Sequence, residues 1–213
     1  MTESNTIAEQ MKQVEARVAD ALAMAKSLGA DGAEVAMSRQ QGLNVCSRLG
    51  EVETVEFTND GALGITVYQG GRKGSASTAD LSESAIKQTV SAAVNIAKYT
   101  SEDKFSGLAD KSLLAMTPED LDLHHPKALN TDKAIEIAIA CEQVARSYDK
   151  RITNSDGASL ASFEGFKVYG NSHGQIVGYP SSRHSLSCVV IANEDDDMQR
   201  DYAYTVNRDF ALL

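Results

Sequence analysis

The stretch that decides the fold is Gly50–Thr78, GEVETVEFTNDGALGITVYQGGRKGSAST. Polar and apolar residues alternate along it in two runs that meet at Asn59-Asp60-Gly61, and a glycine pair, Gly70-Gly71, follows the second run. Alternation with a period of two is typical of β-strands, and Asp-Gly and Gly-Gly favour tight turns because glycine adopts positive φ without steric cost. The stretch therefore predicts a β-meander with a hairpin turn at each glycine site, and it contains no catalytic motif.

Three amphipathic helices are predicted around this meander, because apolar residues recur at spacings of three and four. The first runs from Thr6 to Leu28 with Gly29 suited to its C-terminal cap, and the second runs from Glu83 to Tyr99 with Asp80 or Ser82 as N-cap. The third runs from Thr131 to Tyr148. Its predicted inward-facing residues are Ala134, Ile135, Ala138, Ile139, Cys141 and Val144.

Further strands are predicted on both sides of the second and third helices. Two strands, Ala33–Ser38 and Leu43–Arg48, are predicted before the meander and are joined through Gly42. After the two alternating runs, Lys73–Thr78 adds a fifth strand. In the second half the β-rich segments are Gly157–Gly170, Gln175–Ala192 and Met198–Val206. The fold class expected from this order is α+β, with two helix-plus-antiparallel-meander subdomains whose helices pack on twisted β-sheets.

The segment Thr100–Asn130 has a different composition from its surroundings. It is rich in Asp, Glu and Ser, holds two of the three prolines, and favours only a short helical turn begun by Thr117-Pro118. We therefore expect an N-terminal α+β subdomain over residues 1–112 and a second over residues 113–213. The apolar stop at Phe210–Leu213 suggests a docked terminus or a chain cut inside a longer protein, and we favour the second.

Composition restricts the classes of function. The chain of 213 residues carries a formal net charge of −10, which argues against nucleic acid as a partner because phosphate contacts need clustered Lys and Arg. Cys46, Cys141 and Cys188 are far apart and predict free thiols in a reducing compartment. No signal peptide and no run of about twenty apolar residues is found, so we expect a cytoplasmic protein without a membrane span.

One motif suggests nucleophilic catalysis. Gly170-Asn171-Ser172-His173-Gly174 fits G-x-S-x-G, in which a serine hydrolase would use Ser172. That motif requires a strand before the serine and a helix after it. Here the exit segment alternates like a strand and contains Pro180, so a hairpin turn is the better interpretation, and the serine hydrolase is the weaker alternative.

Several clusters have the residue types of a metal or anion site but not the spacing. Asp120, Asp122, His124 and His125 could hold zinc, yet adjacent histidines in an extended segment point to opposite sides, so a solvated linker is favoured. His173 and His184 could meet across a hairpin. Glu194–Asp197 lacks the ligand spacing of a calcium loop and predicts a charged turn, and Gly70–Ser75 lacks the spacing of a phosphate-binding loop and predicts a basic hairpin tip. We therefore assign no catalytic and no metal residue, and the binding residues remain unknown.

Seven segments that occur in order along nearly the whole chain resemble those of a known family. The chain closely resembles the bacterial TldD/PmbA family, and within it the N-terminal half of the PmbA (TldE) subunit. The segments that carry the resemblance are Gly50–Tyr68, Arg72–Ser82, Asp120–Pro126, Arg151–Gly157, Tyr169–Gly174, Ser182–Ala192 and Arg200–Thr205.

The resemblance implies a function that the residues alone do not give. The family is described as cytoplasmic zinc-type metalloproteases that act on peptides and unfolded segments. Its metal motif, H-E-x-x-x-H, belongs to the TldD-type subunit, so the resemblance implies a non-catalytic chain without a cofactor of its own, truncated before the family's C-terminal domain. The implied partners are a TldD-type subunit and a peptide or unfolded protein. The alternative is a regulatory protein-binding module, similar to a modulator of DNA gyrase, with no proteolytic role.

Overall fold

The structure, a computed structural model, describes residues 6–213. Within that range the chain forms three α-helices, six β-strands and two short 3₁₀ turns. In chain order these are α1 (Ile7–Ser27), β1 (Gly32–Arg48), β2 (Glu51–Gln69), β3 (Arg72–Thr78), α2 (Glu83–Tyr99), a 3₁₀ turn (Lys111–Leu113), α3 (Thr131–Ser147), β4 (Ile152–Asn171), β5 (Ile176–Glu194), β6 (Asp197–Asn207) and a 3₁₀ turn (Phe210–Leu212). The strands form an antiparallel sheet with the order β3-β2-β1-β4-β5-β6, which confirms the α+β prediction.

Each of the three α-helices begins directly after a capping residue. Thr6 and Glu9 form a reciprocal capping box at the start of α1, and Ser82 accepts a hydrogen bond from the backbone N–H of Ala85 at the start of α2. Asn130 does the same for α3 by accepting from the N–H of Asp132 at 2.7 Å. Gly29 follows α1 with a φ of 94°, a conformation in which glycine ends helices at low cost.

The predicted hairpin at Asn59-Asp60-Gly61 is wrong, because β2 runs without interruption from Glu51 to Gln69. Gly61 does not adopt a positive φ. It is instead a site where space is short, since a Cβ on residue 61 would lie 2.6 Å from Leu81 Cδ1. The glycine therefore permits close packing inside a strand, whereas the pair Gly70-Gly71, with φ of 57° and 69°, forms the predicted turn.

The predicted link at Gly42 is wrong for the same reason. Ala33–Ser38 and Leu43–Arg48 are parts of one strand, β1. A Cβ on residue 42 would collide with the Phe163 ring and with the Ser162 carbonyl oxygen of the neighbouring strand β4. Gly42 is thus required by the close approach of two strands and not by a turn.

Two smaller predictions also need correction. The short helical turn expected at Thr117-Pro118 is absent, and the 3₁₀ turn of that segment lies earlier, at Lys111–Leu113. On α3 the predicted Val144 is 72% exposed, whereas Glu142 is fully buried. A carboxylate is tolerated there because it receives hydrogen bonds from the backbone N–H groups of Leu49 and Gly50.

The described chain divides into two compact units, each assembled from three separate stretches. Unit 1 contains the residues up to Arg39 together with Asp60–Leu121 and Gly165–Pro180. Unit 2 contains Gln40–Asn59, Asp122–Glu164 and Ser181–Leu213. These units interleave along the chain because β1, β2, β4 and β5 each contribute residues to both. The expected boundary between residues 112 and 113 divides the chain into two consecutive segments, which is a different kind of division from these interleaved units. It stays a prediction.

Each unit has its own apolar core. In unit 1, α1 and α2 cover one face of the sheet, and the core includes Val18, Val90, Val35, Ile65 and Val168. In unit 2, Ala134 and Ala138 of α3 pack on Leu43, Val45 and Leu160, and Phe210 and Leu213 lie against this cluster. No helix within residues 6–213 combines the length and the apolar character that crossing a bilayer requires.

Candidate functional site

The face of the unit 1 sheet that α1 and α2 do not cover carries a shallow groove. Alternation along the strands places small and hydroxyl-bearing residues on this face, while Val35, Ile65 and Val67 point into the core. The groove has a volume of about 440 Å³ and is called the Glu34 groove below. It is lined by Glu34, Ala36, Gly64, Ile65, Thr66, Ser75, Ala76, Ser77 and Tyr169.

Glu34 is held between two phenols. The hydroxyl of Tyr68 donates to Oε1 at 2.9 Å, and the hydroxyl of Tyr169 donates to Oε2 at 3.0 Å. Burial, together with the hydrogen bond to Glu34, raises the pKa of Tyr68 to about 12. Burial is also the main reason why the pKa of Tyr169 is raised, with a further contribution from Glu34. Both phenols therefore keep their protons at neutral pH and fix the carboxylate by donating to it.

Strand β3 forms one edge of the sheet beside this groove. The carbonyl oxygen of Lys73 accepts a hydrogen bond from Thr100 Oγ1 at 2.9 Å, so it points away from β2. In an antiparallel pair, alternate residues direct both backbone groups toward the partner strand or away from it. Ser75 and Ser77 therefore direct their N–H and C=O groups outward, as expected from the two-residue turn that pairs Gln69 with Arg72. Both serines are exposed.

The structure places Ser172 in the turn between β4 and β5, as predicted, and not at the start of a helix. Its Oγ accepts from the N–H of Ala33 at 3.0 Å, and its own N–H donates to the Ala33 carbonyl at 2.9 Å. These bonds fasten the turn to the start of β1. His173 follows in the same turn, where its N–H donates to the side chain of Asn171. The surroundings required for a nucleophile elbow are not present.

The histidines of unit 2 form pairs and do not converge. His124 Nε2 lies 3.8 Å from Glu164, and His125 Nε2 lies 3.3 Å from Asp122. His184 is buried; its Nδ1 is 2.9 Å from Ser162 Oγ, and its Nε2 is 3.1 Å from the His125 carbonyl oxygen. A carbonyl can only accept, so the Nε2 of His184 carries a proton.

This arrangement does not fit a zinc ion. A protein zinc site needs three or four converging donors, and no group of three His, Cys, Asp or Glu residues within 6–213 is placed to hold a metal. Asp120 and His173 contribute to no such group in that range, and the three cysteines are free. That the chain has no metal residue nevertheless stays a prediction.

The two remaining candidate loops are turns. Glu194 pairs with Asp197 at the end of the β5–β6 hairpin, where Asp195 adopts a φ of 51° and Arg151 forms an ion pair with Glu194. The predicted charged turn is therefore confirmed. At the β2–β3 turn, the N–H of Gly70 donates to Asp31, and the Arg72 guanidinium donates to the Thr100 carbonyl. The Arg72 cation of this hairpin tip is thus bound within the protein, whereas Lys73 beside it is exposed.

Sequence reasoning missed two carboxylates that the structure makes prominent. Glu142 follows Ala134 and Ala138 at intervals of four residues, so the helical period alone could have placed it on the buried side of α3. Glu34 could not have been found in this way. Its partners Tyr68 and Tyr169 are 34 and 135 residues away along the chain, and only the order of the strands brings them together.

Comparisons with known proteins agree on one family. Residues 33–97 match the sequence model of the PmbA/TldA metallopeptidase domain 1, and residues 124–213 match that of the PmbA/TldA metallopeptidase central domain. The chain is 57% identical over 199 residues to metalloprotease PmbA of Escherichia coli O157:H7, covering 93% of this chain and 44% of the relative. The chain spans less than half the length of the curated relatives that it matches.

Two solved structures share the fold. A protein from Bacteroides thetaiotaomicron described as a candidate modulator of DNA gyrase aligns with a TM-score of 0.84 at 22% identity, over 93% of this chain and 46% of its own. TldE from Thermococcus kodakarensis aligns with a TM-score of 0.70 at 16% identity, over 90% of this chain and 43% of its own. At these identities the likeness concerns the fold alone.

Proposed function

Because the chain belongs to the PmbA/TldA metallopeptidase family, we propose that it is the N-terminal region of a PmbA/TldE-like, non-catalytic subunit. In this proposal the subunit works with a TldD-type partner in a cytoplasmic metallopeptidase that acts on peptides or unfolded segments. The support is the family membership together with the 57% identity to a metalloprotease PmbA. In this proposal the TldD-type partner supplies the zinc, as the family resemblance implies.

In this proposal the region binds the substrate by holding an unfolded segment of it in an extended form. The observation that carries this proposal is the outward direction of the backbone groups of Ser75 and Ser77 on the edge strand β3. Such an edge can pair with another chain, and main-chain hydrogen bonds give affinity without a demand for a particular sequence. An unfolded segment that adds to β3 in this way would be held in an extended form beside the partner that cuts it.

Proline substitutions on β3 test the proposal in the full-length subunit bound to its TldD-type partner. Ser75→Pro and Ser77→Pro each remove one outward N–H, while Gly74 and Ala76 retain their bonds to β2. We expect cleavage of an unfolded peptide to fall several-fold in each variant, because one backbone hydrogen bond contributes about 0.5–1.5 kcal/mol. Ser75→Ala is the matched control, since it removes the hydroxyl and keeps the N–H.

Unchanged peptide cleavage in both proline variants would show that β3 does not receive the substrate. Purification of the full-length subunit from cells tests the wider assignment. A stable complex with a TldD-type subunit supports the metallopeptidase, whereas gyrase as the sole partner would favour the regulatory alternative.

A further inference from the structure

The Glu34 groove holds a carboxylate that has acceptor capacity left over. An ionised carboxylate accepts about four hydrogen bonds, and the phenols of Tyr68 and Tyr169 supply one to each oxygen of Glu34. The ion pairs of residues 6–213 do not include Glu34. We propose that the Glu34 groove binds the ammonium or guanidinium group of a lysine or arginine side chain carried by a polypeptide segment.

The space beside the carboxylate is kept open by a glycine. Gly64 lies inside β2, does not adopt a positive φ, and a Cβ built on it would meet nothing within 4 Å. Neither backbone conformation nor packing therefore requires glycine at residue 64. A glycine inside a strand often marks a close approach by a ligand or another backbone. Here it leaves room for an alkyl chain to lie on the sheet between Glu34 and the serines of β3.

The charges and surfaces of the groove suit a long cationic side chain. Glu34 is the one charged residue among the groove's lining residues, and the net charge of −10 on the chain adds attraction for a cation. The exposed methyl of Ala36 and the backbone at Gly64 can cover an alkyl stem, while Tyr169 lines the same groove. Because the groove is shallow and lined by Thr66, Ser75 and Ser77, it suits a side chain of a polypeptide better than an enclosed small molecule.

This side-chain site is separate from the backbone edge of β3 and does not depend on strand addition. On the strand spacing of a sheet, a chain added to β3 would lie about 14 Å from β1, beyond the reach of a lysine side chain to Glu34. The segment that we propose lies over the face of the sheet. The two ideas can therefore fail independently.

The test uses the full 213-residue chain and two labelled peptides with blocked ends. Both alternate threonine and valine, and they differ at one central position, which is lysine in one and norleucine in the other. Fluorescence anisotropy gives their affinities. We expect the lysine peptide to bind about tenfold more tightly at low salt, and this preference to shrink as NaCl rises to about 0.5 M, where the Debye length is only a few ångströms.

Three variants locate the binding. Glu34→Gln should remove the lysine preference and leave norleucine binding unchanged, which a merely structural role of Glu34 would not do. Gly64→Val should lower affinity for the lysine peptide at least tenfold, because the branched side chain fills the open space and suits a strand. Glu51→Gln is the control, since it removes the same charge from an exposed residue at the start of β2.

Each contrary result overturns the proposal. Equal affinity of the parent chain for the two peptides, or no binding of either, would show that the groove selects no cation. This comparison needs no variant, so it holds even if Glu34→Gln fails to fold. An unchanged lysine preference in a folded Glu34→Gln chain would place the cation elsewhere. Butylammonium bound as tightly as the lysine peptide would overturn the polypeptide as the ligand.

Discussion

The Glu142 side chain joins α3 to the turn between β1 and β2. Its Oε1 accepts from the N–H of Leu49 at 2.7 Å and its Oε2 from the N–H of Gly50 at 3.0 Å. Both turn residues have positive φ, of 55° and 84°, so their N–H groups point at the carboxylate and not into a strand ladder. We expect Glu142→Ala to lower the free energy of unfolding by about 2–3 kcal/mol, because two partly buried backbone donors lose a charged acceptor.

Urea unfolding of the parent chain and of Glu142→Ala measures this effect. Glu136→Ala is the matched control, since Glu136 lies on the same helix with an exposed side chain and should change stability little. A loss below about 0.5 kcal/mol in Glu142→Ala would show that the turn does not depend on the carboxylate.

The same carboxylate predicts a pH dependence. Burial alone would raise the pKa of Glu142, but hydrogen bonds from Gly50, Ser155 and Leu49, and the nearby Arg146, lower it below its ordinary value of 4.5. Since the folded pKa lies below the unfolded one, the stabilisation is complete above about pH 4.5 and is lost as the pH falls through the folded pKa. We expect the stability difference between the parent and Glu142→Gln to shrink in acid, as urea unfolding at neutral pH and near pH 3 would show. A difference that stays constant would contradict the lowered pKa.

At the scale of an element, the glycines inside the strands are of two kinds. A Cβ on Gly42 would collide with the backbone of Ser162 and the ring of Phe163, whereas a Cβ on Gly64 would meet open space. We expect Gly42→Ala to destabilise the chain by about 1–3 kcal/mol through overpacking. Gly64→Ala should be neutral or slightly stabilising, because glycine inside a strand has an entropic cost. Thermal unfolding of both variants tests the contrast, and equal effects would refute it.

These glycines also explain what the sequence could predict about the elements. The helices followed from their caps and apolar period, and the turn at Gly70-Gly71 followed from two glycines with positive φ. Asn59-Asp60-Gly61 and Gly42 gave the same local pattern for a different reason, namely close contacts with Leu81 and Phe163. A contact with a residue distant along the chain leaves no signal in the local sequence. The alternation of polar and apolar residues alone therefore could not distinguish one strand of 19 residues from a hairpin.

At the scale of the whole molecule, contacts between residues distant along the chain also limited what could be predicted about the candidate site. The absence of a helix after Ser172 was predictable, because the residues that follow it alternate like a strand. The Glu34 groove was not predictable, because its residues come from four strands and Tyr169 lies 135 residues away from Glu34 along the chain. The family was recognisable because its motifs occur in order along both matched regions, 33–97 and 124–213.

The histidine arrangement leads to a prediction about metal dependence. A structural metal stabilises the folded state by binding it preferentially, so its removal lowers the unfolding temperature. In unit 2, His124 pairs with Glu164 and His125 pairs with Asp122, while both ring nitrogens of His184 are engaged. We expect that EDTA leaves the unfolding temperature of the 213-residue chain unchanged, and that zinc added after dialysis does not raise it. A fall of several degrees with EDTA, restored by zinc, would contradict this. The full-length subunit with the proposed TldD-type partner is the complementary measurement, since EDTA should abolish peptide cleavage by that complex if the partner supplies the zinc.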